Sequence, residues 1–114
     1  MTHKNLEVWN LSLDLVTDLY KITKDFPKDE IYGITSQIRR AAVSIPANIA
    51  EGAARNSKKE FKHFLYISLA SASELDTLLT IAKNLKMIDS IDETSIKLTK
   101  ISKMLQGLIK SLGI

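Results

Sequence analysis

The sequence predicts an all-α protein, an up-down-up-down antiparallel four-helix bundle, and three observations lead there. Apolar residues recur at steps of three and four along almost the whole chain, which is the helical period. The alternation of a half-buried strand occurs nowhere, and only two prolines and four glycines punctuate 114 residues. That length fits a single domain, residues 1–114, able to bury roughly two-thirds of its unfolded surface without disulfides or a metal. No linker, low-complexity tract or internal repeat divides it.

Each element has its own signal. Leu6, Trp9, Leu13, Val16 and Tyr20 step along one face of the first helix, widened by Leu15, Leu19, Ile22 and Phe26. Phe26-Pro27 ends it, because a residue before proline avoids the helical region. The second pattern runs through Ile31, Ile34, Ile38, Ala42, Ile45 and Ile49 and carries Pro46 inside it. That proline removes the hydrogen bond to the Ala42 carbonyl and presses on the preceding turn, at a cost of about 3 kcal/mol in a straight helix, so the second helix is expected to kink at Pro46. S-K-K-E at Ser57 to Glu60 is a capping box that opens the third helix, followed by Phe61, Leu65, Ser68, Ala72, Leu75, Leu79 and Ala82. A second box, S-I-D-E at Ser90 to Glu93, opens the fourth, with Leu98, Ile101, Leu105, Leu108 and Leu112 as its seam. Short connections make consecutive helices antiparallel.

Composition narrows the chemistry. Without cysteine there is no disulfide, thiolate metal site or cysteine nucleophile, which suits a reducing compartment, and the cytoplasm is the expected location. The N-terminal stretch MTHKNLEVWN lacks a signal-peptide core, and no run of about 18 apolar residues suggests a membrane span. Glu60-x-x-His63 resembles half of a di-iron site, but the only other histidine, His3, has no such partner, so no metal is expected. There is no phosphate-cradling glycine loop and no nucleophile elbow, and nothing in the spacing unites Glu51, Glu74 and His63. A non-enzyme with no catalytic residues and no cofactor is the expectation.

Two helices carry an ordered second face. Arg40, Ser44, Asn48, Glu51 and Arg55 form a narrow stripe opposite the core positions of the second helix, with Ala47 beside it. A solvated face is one reading; the shortness of Ser44, Ala47 and Asn48 gives the other, a surface that admits close approach by a backbone or ligand. On the third helix His63, Ile67, Ala70, Glu74, Thr77 and Ile81 make a second stripe whose isoleucines a monomer would leave wet, so it is the candidate oligomer interface. Lys and Arg total 16 against 13 Asp and Glu, a net charge of +3 and a pI near 9.2. Arg39, Arg40, Arg55, Lys58, Lys59 and Lys62 concentrate that excess and are the candidate nucleic-acid contacts, while Lys97, Lys100, Lys103 and Lys110 add a strip on the last helix. Tyr66 is the one aromatic platform near the first cluster, and Gln37 and Asn48 are the only amides placed to touch a base, so little sequence preference is expected.

The run QIRRAAVSIPANIAEGAAR from Gln37 to Arg55, with SKKEF at Ser57 to Phe61 and SASEL at Ser71 to Leu75, resembles the four-helix-bundle proteins encoded in intervening sequences of bacterial 23S rRNA genes. It is similar also to the accessory variability proteins of diversity-generating retroelements. The resemblance implies a bundle that assembles into a barrel-like homopentamer and, in the retroelement branch, a basic surface that binds RNA or DNA and a reverse transcriptase. The polar motif of the family falls on Arg40, Ser44, Asn48, Glu51 and Arg55. Lys86-Met87 departs from it, standing where many relatives have a Gly-Tyr turn. Two functions follow as expectations: an oligomer that binds nucleic acid weakly through its basic surface, or a protein-protein scaffold with no nucleic-acid role.

Overall fold

A computed structural model describes residues 2–114. It contains four α-helices, α1 (Glu7–Thr23), α2 (Ile34–Ala54), α3 (Lys58–Asn84) and α4 (Asp92–Ser111), with short 3-10 turns at His3–Asn5 and Lys28–Glu30. Each helix packs on its neighbours in sequence and α1 also meets α4, which closes the ring around one core. The longest extent is 43 Å, the length expected of a helix the size of α3 at about 1.5 Å per residue. Along α2 and α3 the contacts run in opposite directions, from Arg40 with Glu74 to Gly52 with Phe61 and Phe64, so that pair is antiparallel.

The core is aliphatic. Leu15, Leu19, Ile38, Ile45, Ile49, Leu65, Leu75, Leu79, Ile101 and Leu105 are sealed from solvent. The seams expected for α2, α3 and α4 supply it, with Leu108 and Leu112 partly buried at its edge and Ile109 filling in beside them. The seam of α1 differs. It runs Val8, Ser12, Leu15, Leu19, Thr23 and Phe26, while Leu13 and Tyr20, expected inside, are exposed. Two buried hydroxyls disguise it. Ser12 donates to the Trp9 carbonyl at 2.7 Å and Thr23 to the Leu19 carbonyl at 2.7 Å, so each enters the core with its polar atom satisfied.

Ile31 is likewise outside the core, in the connection that precedes α2. The α2 helix is unbroken across Pro46, whose side chain is buried. Of the two capping boxes expected, the first is half formed and the second does not form, since Ile91 and not Ser90 is the N-cap of α4. Ser57 Oγ accepts from the Glu60 main-chain N–H at 3.1 Å, but the Glu60 carboxylate approaches that hydroxyl and not the Ser57 N–H. Ser90 Oγ accepts from the Asp92 N–H at 3.2 Å, and α4 starts after Ile91. Lys86 resolves the departure noted in the turn after α3: it adopts φ 62°, the left-handed conformation that glycine customarily takes there, and the Met87 N–H reaches back to the Ala82 carbonyl at 2.9 Å. Contrary to the sequence expectation, α3 is long and apolar enough by length and composition to cross a membrane. Its apolar seam is used by the bundle, where Leu65, Ala72, Leu75, Leu79 and Ala82 are buried.

Candidate functional site

The polar stripe of α2 lies along α3. Arg40 Nη2 is 3.0 Å from Glu74 Oε1, one ion pair across the two helices. One turn on, Asn48 Nδ2 donates to Ser44 Oγ at 2.9 Å and to the Ser44 carbonyl at 2.8 Å. The Ser44 and Ser71 hydroxyls are 2.8 Å apart, a contact in which either can donate, and Ser71 Oγ also lies 3.0 Å from the Ile67 carbonyl. A continuous polar chain results, from Asn48 through Ser44 and Ser71 to the α3 backbone. Deeper in the same seam the fully buried Ser68 hydroxyl donates to the Ile45 carbonyl at 2.9 Å.

The seam is close because its residues are small. A Cβ on Gly52 would sit 2.8 Å from Phe64 Cβ and 3.0 Å from Phe61 Cδ1, so only glycine lets α2 pass the two rings. Arg55 then closes the end of the stripe, pairing with Glu51 at 2.6 Å while its guanidinium lies 4.9 Å from the Phe64 ring centroid. Part of the stripe thus meets α3 within the chain, through Ser44 and Arg40, while Arg40, Ala47, Glu51 and Arg55 keep exposed surface. Sequence reasoning placed Ser68 in the inward seam of the third helix but missed Ser71 as the partner of Ser44. The signal for Ser71 was present in SASEL, a stretch with two serines in the middle of the third helix.

The six candidate cations do not form one patch. Arg39 donates from Nε to Thr23 Oγ1 at 2.9 Å and stacks 4.5 Å from the Tyr20 ring centroid, fastening α2 to α1. Arg39 and Arg40 also lie roughly 23 Å along the helix from Arg55, at about 1.5 Å per residue. Arg55, Lys58, Lys59 and Lys62 do come together, where α2 ends and α3 begins. Lys58 and Lys59 are exposed and join no ion pair among the described residues. Lys62 donates to the Ile114 carbonyl. The helix order brings the end of α4, with Lys110, and the 3-10 turn holding Lys4 to this same end of the bundle.

On the α3 stripe His63, Ala70 and Glu74 are exposed, Ile67 is half-buried, and Ile81 is 41% exposed. Glu74 is held by Arg40 and Glu51 by Arg55, which leaves neither carboxylate free beside His63. No group of three or more His, Cys, Asp or Glu side chains able to hold a metal occurs among the described residues.

Comparison with known proteins agrees with this geometry. The family described as 23S rRNA-intervening sequence protein matches residues 4–107. Among solved structures, the chain is similar to a protein of unknown function from the S23 ribosomal protein family of Bacteroides thetaiotaomicron VPI-5482. That crystal structure superposes with a TM-score of 0.79 at 28% identity, covering 90% of this chain and 98% of the other. No curated protein matches. With nearly its whole length matched and the same four-helix architecture, the chain belongs to the 23S rRNA-intervening sequence protein family.

Proposed function

We propose that the protein is a non-catalytic, self-associating bundle that holds nucleic acid, RNA foremost, weakly and by charge at one end of its long axis. One observation carries this reading: Lys4, Arg55, Lys58, Lys59, Lys62 and Lys110 gather at a single end, against Glu7, Glu51 and Glu60, while at the other end Asp25, Asp29, Glu30, Asp89, Asp92 and Glu93 outnumber Lys24, Lys28, Lys83 and Lys86. Such a polarity directs a phosphate backbone to one pole, and assembling several copies multiplies the field there. Membership of a family named for an rRNA insertion supports RNA as the ligand. A reverse transcriptase as protein partner rests on the retroelement resemblance alone.

The wet stripe on α3 supports self-association, with a pentamer as the expected number. Ile67→Asp combined with Ile81→Asp should disperse the oligomer in sedimentation while leaving helix content intact. A monomer for the unmodified protein at micromolar concentration refutes self-association. For nucleic acid, anisotropy of a labelled RNA across salt should give a log-log slope of about 0.7 per single-strand phosphate contact. Lys58→Glu with Lys59→Glu should flatten that slope by about 1.4 and weaken binding at least tenfold at low salt. Absence of binding at about 50 mM salt, where screening is still modest, removes the nucleic-acid role and leaves the scaffold reading.

A further inference from the structure

The basic end has a groove of its own, between the start of α3 and the end of α4. It has a volume of about 610 Å³, within the range of small-molecule sites, and is lined by Lys62, Tyr66 and Leu69 on one side and Gln106, Ile109 and Lys110 on the other. Both walls follow the same rule. Lys62 and Tyr66 are four residues apart on α3, Gln106 and Lys110 four apart on α4, so each wall presents two neighbouring side chains one turn apart. Ile109, buried, and Leu69, partly buried, form an apolar floor between them. Gly113, at φ 71°, turns the chain so that the Ile114 carbonyl accepts from Lys62, which fixes one ammonium at the rim and leaves its other two protons available.

Tyr66 is the unusual member. A tyrosine buries well with its hydroxyl at the surface, yet this one is 51% exposed, beside two lysines and an amide. An aromatic face over an apolar floor, with cations on both rims, is the combination that holds an unstacked base with its flanking phosphates. A duplex keeps its bases stacked inside and cannot use that face. Resting on the proposed nucleic-acid role of this end, we infer that the α3–α4 groove is a single-strand site, in which one base stacks on Tyr66, Gln106 meets its polar edge and Lys62 and Lys110 take the adjoining phosphates.

The test compares a 12-nucleotide RNA carrying one 2-aminopurine among uridines with a duplex of equal length, on the assembled protein. The single strand should bind more tightly than the duplex, with the 2-aminopurine emission quenched on binding. Tyr66→Ala should weaken the single strand roughly 5- to 150-fold, the range of one base–aromatic stack, abolish the quench and leave duplex binding and the salt slope unchanged, while Tyr66→Trp restores both. Lys62→Gln with Lys110→Gln should lower the single-strand slope by about 1.4 and keep the quench. Salt-dependent binding with equal affinity for duplex, or with affinity and quench unaffected by Tyr66→Ala, overturns the groove site and leaves the charged end standing. No binding of either nucleic acid refutes both.

Discussion

Helix α3 is held differently on its two sides. Towards α2 the polar side chains answer one another: Arg40 with Glu74, Asn48 with Ser44, Ser44 with Ser71, Ser68 with the Ile45 carbonyl. The connection there is three residues long and capped by Ser57. Towards α4 the connection is longer, contains a lysine in a left-handed conformation and leaves Leu85 59% exposed, and the far end opens into a groove whose Lys110, Gln106 and Tyr66 make no side-chain hydrogen bond among the described residues. Polar residues at a helix surface thus divide into those whose partners are already inside the chain and those that still present free donors. The α2 stripe, the more conspicuous in sequence, is of the first kind.

The sharpest way to break the contrast is at Gly52. Gly52→Val pushes methyl groups into the Cβ of Phe64 and the ring of Phe61, where no flexible end can move aside, and should cost about 3 kcal/mol of stability in chemical denaturation. A loss below about 0.5 kcal/mol, the scatter of ordinary surface changes, shows the α2–α3 seam to be looser than described.

Next in size is Ser44→Ala. It removes the middle of the chain from Asn48 to Ser71, leaving a half-buried amide proton and a hydroxyl acceptor without their partner, so about 1–2 kcal/mol is expected, with RNA affinity unchanged. An affinity loss larger than the stability loss explains returns the stripe to the binding surface.

The extent to which sequence revealed this follows from what fixes each feature. The faces of α2, α3 and α4 were legible because aliphatic side chains at helical spacing have only one place to go. On α1 the rule misled: Leu13 and Tyr20 look like core, but Ser12 and Thr23 take the inner positions by bonding their hydroxyls to the preceding turn. The stripe from Arg40 to Arg55 was legible as ordered, but its contacts with α3 were not, since its partners Ser71 and Glu74 lie on another helix and appear only when the two run antiparallel. For the same reason Lys110 and Gln106 were not associated with Tyr66: about 40 residues separate them along the chain, and tertiary proximity leaves no local pattern.

On the looser side of α3, Lys86→Gly should strengthen the molecule. A left-handed residue with a Cβ carries a cost on the order of 1 kcal/mol that glycine avoids, partly offset by the greater freedom of glycine in the unfolded chain. A gain of about 0.5 kcal/mol in denaturation is expected, and a loss indicates that the lysine side chain contributes a contact of its own.

The smallest effect should come from the most visible interaction. Arg40 and Glu74 make a 3.0 Å ion pair between two helices, but their side chains are 67% and 46% exposed, so water and salt screen the attraction and both long chains lose freedom to hold it. A double-mutant cycle of Arg40→Gln and Glu74→Gln should return a coupling of about 0.5 kcal/mol or less, falling towards zero at about 1 M salt, where the screening length is near 3 Å. The neighbouring hydrogen bond of Ser44 with Ser71 involves uncharged groups and should keep its contribution in the same salt. Coupling above about 1.5 kcal/mol that persists at high salt makes the ion pair, and not the small-residue packing around Gly52, the principal fastening of α2 to α3. In that case the contrast between the two sides of α3 rests on a charge pair sheltered from solvent, which salt does not screen.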